Sequence, residues 1–148
     1  MNEKSIIETE QEIIDDFSLF DSWEDKYEYI IDLGKKLPLL EEQYKTEENK
    51  IKGCQSTVWL VASYRDGKVF FKADSDAVIV KGLVSMLITV LSGHQPDEII
   101  AARLDFIREI GMFTHLAQTR SNGLLAMIKQ MKNYAIAYKT IQGIEQKP

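Results

Sequence analysis

Residues 57–73 hold the feature that most limits what this chain can fold into. Thr57 to Tyr64 alternates Val58, Leu60, Ala62 and Tyr64 with Trp59, Val61 and Ser63. That period of two places the two sets on opposite faces of a strand. Asp66-Gly67 follows, and Lys68 to Ala73 returns. A type I′ turn needs positive φ at both central residues, which is why Asp-Gly between alternating runs is a strong hairpin signal. The stretch predicts an antiparallel hairpin, and the rest of the chain must pack around it.

The flanking segments have helical spacing instead. Ile6, Glu10, Ile13, Ile14 and Phe17 predict a first helix over residues 4–17. Asp21-Ser22-Trp23-Glu24 offers an N-cap with an acid three residues on, and Trp23, Tyr27, Ile30 and Ile31 form a stripe ending around Gly34 to Pro38. Residues 41–50 are charged and aperiodic, so they predict a loop or a weak helical turn. Beyond the hairpin, Asp74-Ser75-Asp76 is expected to cap a helix. From Val78 to Leu91 that helix is apolar nearly all round, which predicts burial, and it ends at Gly93. Pro96-Asp97-Glu98 opens a short helix and Phe106 to Ile110 makes another. Ser121-Asn122 is expected to cap a long final helix striped by Leu124, Ile128, Met131, Ala135 and Tyr138. A further strand near Ile51 would extend the sheet.

A hairpin bracketed by helices, without alternating βαβ units, predicts an α+β fold: a small antiparallel sheet with helices packed against it. The chain has no internal repeat, low-complexity tract or Pro/Gly/Ser linker, so residues 1–148 read as a single domain. No apolar run approaches the ~18 residues of a membrane span, and the acidic N-terminus lacks the order of a secretory signal. The net charge of −5 divides unevenly, with 15 acids against 6 bases over residues 1–50 and 8 against 12 over residues 51–148. Lys and Arg never cluster with aromatics as nucleic-acid binding would require. A single cysteine excludes an intramolecular disulfide and a cysteine-only zinc cage, and it predicts a cytoplasmic protein with a free thiol.

That cysteine, Cys54, is the first candidate for chemistry. Gly53 before it lets the backbone turn tightly. Lys50 and Lys52 bring cationic charge that favours thiolate, and Gln55 and Ser56 flank the thiol with polar groups. The commoner fate of a free cysteine is inert burial, and an adaptor with a merely buried thiol is one reading. Another is a thiol-dependent hydrolase built from Cys54, His115 and a carboxylate such as Asp74 or Asp76, though no hydrolase signature accompanies them. Zinc on Cys54, His94 and His115 is weaker still, because no pair has ligand spacing. His94 follows the helix-ending Gly93, where an imidazolium would complement the negative helix end. Arg120 lies in a stretch without acids. No Gly-rich phosphate cradle is present.

Gly53-Cys54-Gln55-Ser56 with Val58-Trp59, then Ala73-Asp74-Ser75-Asp76-Ala77 and Ile79-Val80-Lys81-Gly82-Leu83, closely resembles the SufE-like sulfur-acceptor proteins. The resemblance continues through His115-Leu116, Arg120, Asn122-Gly123-Leu124 and Ala126-Met127, and covers roughly Ile13 to Ile136. It implies an α+β sandwich shared with iron–sulfur scaffold proteins. It also implies a sulfur relay: a partner cysteine desulfurase supplies persulfide sulfur to Cys54 and is stimulated by it, and the sulfur passes to an iron–sulfur cluster scaffold. Pyridoxal phosphate belongs to the desulfurase, and this chain would hold no cofactor or metal of its own. Gly53, Gln55, Lys50, Asp74, Asp76, His115 and Arg120 are the implied supporting or partner-contact residues. A homodimer is left open. Two departures stand out: Lys50 where the family commonly has Arg, and Ala117-Gln118-Thr119 where it has a Ser/Thr-Pro-Ser/Thr segment.

Overall fold

The computed structural model describes residues 4–145. Helix α1 (Ile6–Phe17) begins at Ser5, whose hydroxyl accepts from the Glu8 amide at 3.1 Å while Glu8 reaches back to the Ser5 amide. This reciprocal box satisfies two amides that a helix start otherwise leaves unpaired. Ser22 caps α2 (Trp23–Lys35) through the Asp25 amide at 3.2 Å. Two single 3-10 turns, Glu42–Tyr44 and Glu47–Asn49, occupy the aperiodic charged stretch.

Strands β1 (Val58–Arg65) and β2 (Lys68–Ser75) pair antiparallel, from Val58 opposite Ser75 to Arg65 opposite Lys68. The connection has φ of 52° at Asp66 and 78° at Gly67, both positive as the turn requires. The expected third strand near Ile51 is reduced to one bridge, Lys50 with Trp59, and one hydrogen bond from the Ile51 amide to the Val58 carbonyl at 2.9 Å. The chain turns away at Lys52-Gly53 before a strand can form. On the other side, Val69 pairs with His94 and the Phe71 amide donates to the Ser92 hydroxyl, so the turn after the next helix shields β2.

Helix α3 (Val78–Leu91) is the centre of the molecule, with Leu83, Leu87, Val90 and Leu91 buried. It packs on α2 and on the sheet. Each such side chain removed from water contributes roughly 1.5–3 kcal/mol. The Asp74-Ser75-Asp76 cap does not form: β2 runs through Ser75, and Ala77 begins the helix without a side-chain cap. Those carboxylates have long-range partners instead, described below. Short helices α4 (Pro96–Ala101), α5 (Phe106–Glu109) and α6 (Met112–His115) lead to α7 (Gln118–Glu145). α7 starts before the expected Ser121-Asn122 cap. The Arg120 and Ser121 amides already bond the Ala117 carbonyl, and Ser121 is buried within the first turns. Leu124, Met127, Met131 and Ala135 bury one stripe of α7, and α4 packs against it. His94 is buried, and desolvation outweighs its Glu98 neighbour at 3.7 Å to push its pKa below the usual value. The expected imidazolium at the helix end is therefore disfavoured.

Candidate functional site

Cys54 sits in the irregular loop that joins the second 3-10 turn to β1. Gly53 turns the chain with a φ of +94°, a conformation side chains rarely adopt. The loop then lies against the N-terminal part of α7. Cys54 is half-buried, and its thiol donates to the Gly123 carbonyl oxygen at 3.5 Å. A methyl group built on Gly123 would stand 3.4 Å from Sγ, and one on Gly53 would stand 3.4 Å from the Ala126 Cβ. Glycine at both positions lets loop and helix approach.

Burial pushes the Cys54 thiol above its ordinary pKa. This reverses the expectation that Lys50 and Lys52 favour thiolate. The Lys50 ammonium is committed to Glu47 at 2.6 Å, Lys52 is exposed, and loss of solvent around the sulfur dominates. Gln55 is exposed in the same loop.

Past Cys54 the chain is clamped from β2. The Thr57 amide donates to Asp76 Oδ1 at 3.1 Å, and the Ser75 hydroxyl donates to the Thr57 carbonyl at 2.8 Å. Asp74 lies opposite Trp59 and accepts from Lys45 at 3.2 Å and Lys81 at 3.3 Å. Burial works to raise its pKa, but the Ser75 amide and the two ammonium groups prevail and hold the carboxyl below its usual range. Lys45 directly follows the first 3-10 turn and Lys81 belongs to α3, so one carboxylate ties three segments. The Lys45 ammonium also lies 5.6 Å from the centre of the Trp59 ring. The buried Trp59 indole N–H has no hydrogen-bond partner among the described residues.

His115 is occupied elsewhere. Its ring stacks on Trp23 at 3.8 Å, its Nδ1 faces the Gly111 carbonyl at 3.2 Å, and its own carbonyl accepts from the Tyr27 hydroxyl. No hydrogen bond joins it to Cys54, so the structure does not assemble the hydrolase pair. Arg120 is exposed on the first turn of α7, three residues before Gly123. Among the described residues no three His, Cys, Asp or Glu side chains are placed to hold a metal ion.

The sequence patterns alone did not single out Gly123, Ser75 or Lys45 as parts of this site. The one signal was a glycine inside a predicted helix, where it costs ~1 kcal/mol against alanine and so suggests a close approach.

A half-buried single thiol on a loop, seated against glycine backbone near a helix start, makes this a small α+β protein with Cys54 at its candidate site. Residues 11–135 match the SufE family model, described as an Fe-S metabolism associated domain, and the chain belongs to that family. An uncharacterized SufE-like protein of Rhizobium meliloti (strain 1021) is 44% identical over 129 residues, covering 84% of this chain and 92% of that one. A SufE-like protein of Arabidopsis thaliana, named chloroplastic/mitochondrial, is 40% identical over 85% of this chain and 34% of its own length. A solution structure of a hypothetical protein from Thermus thermophilus shares the fold, with a TM-score of 0.74 at 19% identity. It covers 89% of this chain and 96% of that one. Among the described residues no helix is long and apolar enough to cross a membrane.

Proposed function

We propose that Cys54 is a sulfur carrier, loaded by a cysteine desulfurase and unloaded onto an iron–sulfur scaffold complex in the cytoplasm. The observation that carries this is the placement of the chain's single cysteine on a glycine-hinged loop, within a family tied to iron–sulfur metabolism. The Cys54 thiol loses its proton to solvent, and the thiolate attacks the terminal sulfur of the donor's cysteine persulfide. A new S–S bond forms on Cys54 as the donor's S–S bond breaks, and the donor cysteine leaves as thiolate. No electrons are gained or lost overall. Removing the persulfide frees the donor for another turnover, which accounts for stimulation of the enzyme. The pyridoxal phosphate stays with the donor, and the carrier needs no cofactor of its own.

An ordinary thiol is only ~3% ionised at pH 7, and burial lowers that share for Cys54. The free protein is thus a poor nucleophile. Docking that draws the loop off α7 would restore solvent to the sulfur and align it, and alignment is worth more than ionisation alone.

The test is Cys54→Ser. Wild type incubated with a desulfurase and cysteine should gain the mass of at least one sulfur atom, removable by a reducing thiol. The serine variant should gain none yet still compete for the enzyme, because serine keeps the size but cannot exchange with a persulfide. Acquisition of sulfur by the variant at the wild-type rate would refute the proposal.

A further inference from the structure

A groove of about 440 Å³ runs between the stem of the Cys54 loop and the outer face of α7. Asn49, Lys50 and Lys52 form one wall, and Ala126, Lys129 and Asn133 form the other. Its volume falls within the roughly 300–1,000 Å³ of ligand clefts. Glu48 is the only acid among the described lining residues, against three lysines. Glu47 offsets Lys50. Lys52 and Lys129 are exposed and make no ion pair with any described residue. In a chain of net charge −5, a cationic groove lined with amide side chains is a local exception that suits a carboxylate-bearing ligand.

The walls of this groove are the two elements that hold the thiol. Ala126 lines the groove and packs on Gly53, and Gly123, one helical turn earlier, carries the carbonyl that accepts from Cys54. An occupant of the groove therefore touches the loop and the helix at once.

We propose that this groove docks an acidic, extended segment of the protein that donates sulfur to Cys54. This rests on the sulfur-carrier reading and names the surface and the chemistry of its partner.

Hexaglutamate is the direct probe, titrated into the full-length, isotope-labelled protein. The backbone amides of residues 49–52 and 126–134 should shift, with binding that weakens steeply as salt rises. In a desulfurase assay, Lys129→Glu should raise the half-saturating concentration of this protein about tenfold, and Lys129→Arg should stay within about twofold of wild type. Lys129 is exposed, so both variants should keep the fold. Half-saturation unchanged in both Lys129→Glu and Lys52→Glu would overturn the proposal. So would a single-stranded oligonucleotide that shifts the same amides more tightly than hexaglutamate, or a dimer in sedimentation that Lys129→Glu dissolves. Failure of the carrier reading looks different: wild type would gain no sulfur mass although hexaglutamate still bound the groove.

Discussion

Glycines bring two elements together at two places in this molecule, and the two contacts leave different amounts of room. Where α2 meets α3, a methyl on Gly82 would fall inside the Ile30 carbonyl oxygen, and one on Gly34 would stand 2.8 Å from the Gly82 nitrogen. Backbone lies on backbone there, and the nearest atom at each glycine is a main-chain atom that cannot yield as a side-chain tip could. Where the Cys54 loop meets α7, the equivalent methyls at Gly53 and Gly123 would reach their neighbours at 3.4 Å. That is van der Waals contact with a thiol and a methyl group. The helix crossing fixes the scaffold, while the loop rests on α7 at ordinary contact distance with no backbone interlocked. The proposed carrier role would use both, because sulfur taken up in one place has to be delivered in another.

The comparison breaks most visibly at the tight crossing. Gly82→Ala should destabilise the protein by at least about 3 kcal/mol, the upper range for overpacking, because neither backbone can shift alone. Thermal unfolding should show a midpoint lower by roughly 6–12 °C. A shift of under a degree would mean that the crossing has slack.

Asp74 sharpens the picture between the two regions. Asp74→Asn should cost about 1–3 kcal/mol at pH 7, because it removes the charge from a buried carboxylate hydrogen-bonded to two ammonium groups. Its folded pKa lies below the ordinary ~3.9 of an unfolded aspartate, so its stabilisation is complete above that value and is lost as pH falls through the folded one. Denaturant titrations of wild type and variant should therefore converge on acidification below pH 4. A gap that stays constant would remove the carboxylate charge from the account.

Gly123→Ala should have the smallest effect on stability, within about 1 kcal/mol and in the stabilising direction, since alanine suits a helix interior. The added methyl nevertheless competes for space beside Sγ with a second sulfur ~2 Å further out. Persulfide formation on Cys54 should slow severalfold while unfolding measured in urea is unchanged or improved. A variant as fast as wild type would show that the seat on Gly123 plays no part in loading.

The hairpin was legible because Asp66-Gly67 and the alternation around it are local, as were Ser22 at the start of α2 and the all-round apolarity of α3. What failed to show was set by partners far away in sequence. Asp74 and Asp76 have the spacing of a helix cap, but Lys45, Lys81 and the Thr57 amide compete for them. The further strand expected near Ile51 is cut short by the turn at Gly53. Cys54 was legible as a candidate, whereas its raised pKa was not. The neighbouring lysines argue for thiolate, and only the fold reveals that α7 takes away its solvent. Gly82 reads as an isolated glycine until Ile30 is placed against it.

Helix α7 spans 28 residues, roughly 42 Å at 1.5 Å per residue, and is fastened well away from the thiol. Lys132 donates to the carbonyls of Ile100 and Ala102, and the Tyr138 hydroxyl reaches the Ala62 carbonyl at 3.2 Å while its ring stacks on Tyr64. The Cys54 loop touches this rod near its first turns, at Gly123 and Ala126. Lifting the loop therefore need not bend the rod, which serves as an anvil and not as a hinge. Were the thiol to leave and return, it would meet an unaltered surface, so the proposed loading and unloading would not require the protein to refold its seat.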